Sequence, residues 1–135
     1  MSTDEIAKKY NLRLLIQFGS SVRGKTHRES DVDFAYLSER PLSLEREGGL
    51  ILDLAKSLNI PISKIDLSSL HRAKNPLFLF ELFKNAKPLY AQNSTIFDKY
   101  KLYSINIYIE AQRYRRISDA FLKKRVDTHR HDLNL

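Results

Sequence analysis

The sequence predicts an α/β domain: a small mixed sheet, flanking helices and a long C-terminal helix. Three observations carry this. Strand-length apolar runs alternate with helix-period segments along residues 1–92. The connecting stretches are short or polar, and none is long enough to divide the chain. From residue 94 onward apolar residues recur at steps of three or four, which reads as one helix over 94–125 followed by a polar tail, 126–135. A length of 135 residues suits one domain with one core.

The elements follow in order. Ser2 with Glu5 forms a capping box, so a short helix runs to about Tyr10. Leu12, Leu14, Leu15, Ile16 and Phe18 make a strand that stops at Gly19, and a polar segment occupies 20–30. A second strand spans Asp31 to Leu37. Leu44–Leu58 is helical despite Gly48 and Gly49, because Leu50, Ile51, Leu54, Ala55 and Leu58 keep helical spacing. Ile62–Leu67 is a third strand. Pro76 suits the first position of a helix over 77–85, and Lys87 to Tyr90 form an edge strand in which Pro88 is tolerated. Thr95 with Asp98 offers a cap for the last helix. Its stripe comprises Ile96, Tyr100, Tyr103, Ile107, Ala111, Tyr114, Ile117 and Phe121. Leu102, Ile105 and Ile109 lie on the opposite side, so either a second chain or the 77–85 helix covers them.

Composition removes several classes. With 4 Gly, 4 Pro and 42% hydrophobic residues the chain is neither collagen-like nor disordered. No apolar run reaches the ~20 residues of a membrane span, and the N-terminus has no signal core. Without cysteine there is no disulfide or thiolate zinc site, and a cytoplasmic location is expected. The net charge of +7 is uneven: residues 1–66 balance, whereas 67–135 hold thirteen basic against six acidic residues. Such a face attracts acidic partners or nucleotides, although a merely solvated helix surface has the same composition.

The chemistry concentrates in Phe18-Gly19-Ser20 and in Ser30-Asp31-Val32-Asp33-Phe34. Asp31 and Asp33 are two apart on a strand, so both carboxylates face one way, with Val32, Phe34 and Tyr36 facing the other. Two carboxylates this close resist joint ionisation, and a hard cation such as Mg²⁺ relieves them. Gly19 lets backbone approach a ligand, and Ser20 adds a hydroxyl donor for phosphate oxygens. A phosphate cradle beside a metal pair is what phosphoryl or nucleotidyl transfer requires. Arg23, Lys25 and Arg28 lie in the intervening loop, where they neutralise phosphate charge or are simply solvated. His129 to Asp132 is read as a tail without a metal.

Gly-Ser, ten residues, then Asp-x-Asp resembles the signature of the polymerase-β-like nucleotidyltransferase superfamily. More closely, LLIQFGSSVRGKTHRESDVDFAYL is similar to the minimal nucleotidyltransferases that act as antitoxins to HEPN toxins. The likeness is specific over about 12–37 and loose up to Ile65-Asp66-Leu67. It implies that 1–92 is the catalytic core of the mixed-sheet fold, that Asp31, Asp33 and Asp66 are catalytic and hold Mg²⁺, and that Asp66 helps activate the attacking hydroxyl. Gly19, Ser20, Arg23 and Lys25 would bind the nucleotide. The implied reaction is AMP transfer from ATP to a tyrosine of a cognate HEPN RNase, docked through the C-terminal helix. A homo- or hetero-oligomer is compatible with this, and neither a membrane nor nucleic acid is the expected partner. Two other readings stay open: a small-molecule nucleotidyltransferase of the aminoglycoside-modifying kind, and an antitoxin that neutralises by binding alone.

Overall fold

The structure, a computed structural model, describes residues 1–19, 22 and 31–133, with the backbone alone for 128–133. Helix α1 (Thr3–Lys9) begins at Ser2, whose hydroxyl accepts from the Glu5 amide at 3.2 Å and donates to the Glu5 carboxylate at 3.3 Å. This cap satisfies the Glu5 amide, one of the donors that a helix start leaves bare. Strand β1 (Leu12–Phe18) pairs antiparallel with β2 (Val32–Ser38) on one side and with β4 (Lys87–Ala91) on the other. Strand β3 (Ile65–Ser69) runs parallel to β2, giving a mixed sheet in the order β3-β2-β1-β4. Pro88 therefore lies on an edge strand, where the missing donor does least harm.

The sheet is covered on both faces. On one, Leu12, Leu15, Phe34 and Tyr36 pack with α1 and with α2 (Leu44–Leu58) through Ile6, Leu50 and Leu54. On the other, Leu14, Ile16, Ala35 and Leu37 meet α3 (Pro76–Lys84) and the start of α4 (Ile96–Leu133) through Leu79, Leu82, Phe83 and Ile96. Burial on both sides explains why β1 reads as a continuous apolar run. A register shift between Leu12 and Leu14 lets Leu12 and Leu15 serve the same face.

Several boundaries differ from the expected ones. Residues 62–64 form a 3-10 turn, so β3 begins at Ile65 and ends at Ser69. Thr95 stands just before α4 and its carbonyl accepts from the Lys99 amide, but the side-chain cap comes from Asn93, whose oxygen accepts from the amides of Thr95 and Ile96 and from the Thr95 hydroxyl. The expected tail from residue 126 is corrected as well, since α4 remains helical to Leu133. Only the first part of the α4 stripe is buried. Ile96, Tyr100 and Ile107 pack on the core, whereas Tyr114 is 75% and Phe121 62% exposed. On the neighbouring side Tyr108 stacks on Phe80 of α3 at 4.2 Å, while Leu102 and Ile109 stay exposed. No helix among the described residues is long and apolar enough to cross a membrane.

The two adjacent glycines of α2 differ in their surroundings. A Cβ at Gly48 meets nothing within 4 Å, whereas one at Gly49 falls 2.8 Å from the Tyr10 hydroxyl. That hydroxyl donates to Asp53 at 2.6 Å, and Asp53 also pairs with Lys9 at 2.8 Å, tying α1 to α2. Gly48→Ala is expected to stabilise the fold by about 0.5–1 kcal/mol through helix propensity. Gly49→Ala should lose that gain by displacing Tyr10. Urea unfolding of both variants checks the difference in sign.

Candidate active site

The register of the central strands builds the site. Asp33 of β2 pairs directly with Asp66 of β3 and, on its other side, with Phe18 of β1. Directly paired residues point to the same face, so Asp66, Asp33 and Phe18 form a row across the sheet. Ile65 and Leu67, on either side of Asp66, turn to the opposite face and pack against the α1–α2 core. The strand ends therefore supply the carboxylates, while the buried middle of the sheet holds them in register.

Gly19 completes this end of the sheet. Its φ of +79° is one that side chains rarely adopt, and a Cβ there would lie 2.5 Å from a carboxylate oxygen of Asp33. A glycine is thus needed to clear Asp33, in addition to any close approach of a ligand. The Val22 amide donates to the Gly19 carbonyl at 3.3 Å, so the chain turns directly after the strand. Ser20, Arg23 and Lys25, expected to bind phosphate, lie outside the described residues, as do Arg28 and the side chains of 129–132.

Asp33 is partly buried, and its carboxyl is pushed up to about 6. Loss of solvation is the main cause, followed by the charge of Asp66, a hydrogen bond with Asp66, and the charge of Asp31. The three carboxylates thus act on one another, yet not equally. Asp66 is close enough to share a hydrogen bond, whereas Asp31 stands exposed one residue before β2. No group of three His, Asp or Glu among the described residues is arranged to hold an ion as it stands. The chemistry of the donor set nevertheless fits a hard divalent cation: oxygen ligands only, with an electrostatic conflict that positive charge removes.

The sequence reading missed one component. Phe78, in the first turn of α3, meets Phe18 edge to face with ring centroids 6.2 Å apart. Its helix was expected, but nothing local says which side of a mostly apolar helix faces the carboxylates. The outer half of α4 forms a second candidate surface. Exposed Tyr114, Ile117, Phe121 and Val126 are interspersed there with Arg113, Arg115, Arg116, Lys123 and Arg125.

Comparison with known proteins agrees with this geometry. Residues 2–95 match the family described as polymerase beta, nucleotidyltransferase. Over 121 residues the chain is 27% identical to the protein adenylyltransferase MntA of Shewanella oneidensis, covering 88% of this chain and 84% of that one. A chain of a solved toxin–antitoxin complex with AMP-PNP superposes with a TM-score of 0.66 at 24% identity, over 87% of this chain and 94% of that one. A chain of the complex of tri-AMPylated Shewanella oneidensis HEPN toxin with MNT antitoxin gives 0.60 at 21% identity, over 87% and 92%. At these identities the structural likeness establishes the fold.

The raised carboxyl has a consequence for stability. Asp33 holds its proton more tightly folded than unfolded, so stability is full below the ordinary value of 3.8 and falls as pH rises through about 6. In the absence of divalent cations, Asp33→Asn should melt above the wild type at pH 8, with the gap closing towards pH 4. Allowing for the solvent exposure of the site, the gain is about 1 kcal/mol, or roughly 3–5 °C. Thermal melts in chelator at the two pH values check it; an equal gap at both would remove the electrostatic explanation.

Proposed function

The chain belongs to the polymerase beta nucleotidyltransferase family, and from that premise we propose that it transfers AMP from ATP to a tyrosine of a cognate HEPN-type RNase toxin, neutralising it in the cytoplasm. The observation that carries the reading is the pairing of Asp33 with Asp66 beside Gly19, at the end of the sheet where Asp31 also lies. The relatives add support, since one is a protein adenylyltransferase and another is a complex of an AMPylated HEPN toxin.

In this reaction the acceptor hydroxyl oxygen bonds to the α-phosphorus of ATP. The bond from that phosphorus to its bridging oxygen breaks, and pyrophosphate leaves. Asp66, on the outer strand of the row, takes the proton of the attacking hydroxyl. Gly19 and Ser20 offer backbone and hydroxyl donors to the triphosphate, with Arg23 and Lys25 countering its outer charge. Asp31, Asp33 and Asp66 would hold Mg²⁺, which supplies neutralisation of the phosphate charge that builds up in the displacement. Asp33, central in the row and acted on by the charges of Asp66 and Asp31, gains most from a counter-charge.

The acceptor protein docks, in this proposal, along the outer half of α4. That segment projects an apolar stripe flanked by cations, whereas Ile96, Phe97, Tyr100 and Ile107 of the inner half pack on the core. Aromatic and arginine side chains are the residues that most often anchor interfaces.

Two outcomes test the proposal. With labelled ATP, Mg²⁺ and the product of the neighbouring HEPN gene, Asp31→Asn and Asp33→Asn should each lower transfer at least ~100-fold, in line with loss of charge stabilisation. Equal labelling by wild type and variants overturns the catalytic reading, and protection of cells by the inactive variants would point to neutralisation by binding alone. Replacing Ile117 and Phe121 together with Glu should weaken toxin association ~30-fold or more while the thermal midpoint stays unchanged. Pull-down and calorimetry with the purified toxin decide this, and unaltered affinity moves the interface elsewhere.

A further inference from the structure

An aromatic pair borders the carboxylate row at its β1 end. Reading across the sheet, Asp66, Asp33 and Phe18 stand side by side on neighbouring strands, about 4.8 Å apart at each step. The row ends in a ring, and Phe18 leads directly into Gly19. Phe78 of α3 rests on that ring, edge to face at 6.2 Å.

Phe78 lies at the margin of the core. Leu79, Leu82 and Phe83 of the same helix are buried, whereas Phe78 keeps 38% of its surface exposed while touching Phe18, the strand partner of Asp33. Its backbone is anchored at the start of the helix. The Asn75 side-chain oxygen accepts from the amides of Leu77 and Phe78, at 3.0 and 3.3 Å, and Pro76 sets the first helical residue. A half-exposed ring beside convergent polar groups is how small-molecule sites are built.

We infer that Phe78, braced by Phe18, is the platform on which the base of the bound nucleotide stacks. The inference rests on the nucleotidyl-transfer reading and assigns the two substrates to opposite ends of the row. Gly19 places the phosphates on the β1 side, next to Phe18. Asp66, the group that receives the acceptor's proton, is on β3 at the far end. The ring therefore adjoins the nucleotide and not the acceptor. Stacking on an aromatic face is tolerant of base identity, so this contact adds affinity for purine and pyrimidine nucleotides alike.

Titration calorimetry of the full chain with ATP and with inorganic tripolyphosphate, both with a divalent cation, tests the assignment. Phe78→Ala should weaken ATP ~10-fold or more and leave tripolyphosphate unchanged, while Phe78→Trp keeps the wild-type affinity. In steady-state transfer the alanine variant should raise KM for ATP at unchanged kcat. Wild-type ATP affinity in Phe78→Ala overturns the inference and leaves nucleotidyl transfer intact. So does an equal loss for tripolyphosphate, which would mean a collapsed site, or a rise in KM for the acceptor protein alone, which would make the ring an acceptor platform. Failure of the unmodified chain to bind either ligand overturns the inference together with the reading beneath it.

Discussion

Asp33 and Asp66 are held against each other by the pairing of two parallel strands, and the rest of the structure is organised around keeping them there. Left free, two carboxylates would separate into water. Here they cannot, because β2 is buried on both faces just beyond Asp33, at Phe34, Ala35, Tyr36 and Leu37. The double core thus does more than stabilise the sheet. It fixes the register that brings the charges together, and the conflict shows in a carboxyl pushed up to about 6. Gly19 belongs to the same constraint, since any larger residue would occupy the space of the Asp33 carboxylate.

Much of this was legible from local pattern. The alternation around Asp31-Val32-Asp33 and around Ile65-Asp66-Leu67 is short-range, and period-2 geometry alone puts Asp33 and Asp66 opposite their apolar neighbours. The capping box at Ser2 and the span of α2 are likewise encoded within a few residues. What was not legible depends on long-range placement. That Asp33 pairs with Asp66 is a matter of register between segments separated by a whole helix. Gly19 reads as a ligand-approach glycine until the neighbouring strand shows which side chain it clears. Phe78 could not be distinguished from the core residues of its helix, because an apolar helix in sequence does not reveal where the sheet it covers ends.

The C-terminal helix failed in a more instructive way. Its apolar stripe was correctly continuous, but continuity was no guide to burial. Ile96, Tyr100 and Ile107 are used by the domain, and the same stripe then runs on past the end of the sheet through Tyr114, Ile117 and Phe121. A helix of 38 residues extends about 57 Å at 1.5 Å per residue, more than one small sheet can cover. Polar residues at 126–135 suggested a tail, whereas helix persists through them to Leu133. Apolar exposure begins on the inner half, at Leu102, Tyr103 and Ile109, and continues through Tyr114, Ile117 and Phe121, where cations are interspersed.

The arrangement also makes the two charged reactants depend on one another. A triphosphate approaching Asp31, Asp33 and Asp66 meets like charge, and the Asp33 carboxyl is already pushed up by burial and by its acidic neighbours. Neither is comfortable without positive charge between them. Counter-charge that suits both at once favours their joint occupancy over either alone, which is linkage in its ordinary form. An aromatic platform adds affinity without adding charge, so it can strengthen nucleotide binding while leaving that electrostatic balance undisturbed. In the proposed reaction, then, the task of the acidic row is to gather the charge needed for transfer, and the task of the Phe18–Phe78 pair is to orient the rest of the nucleotide.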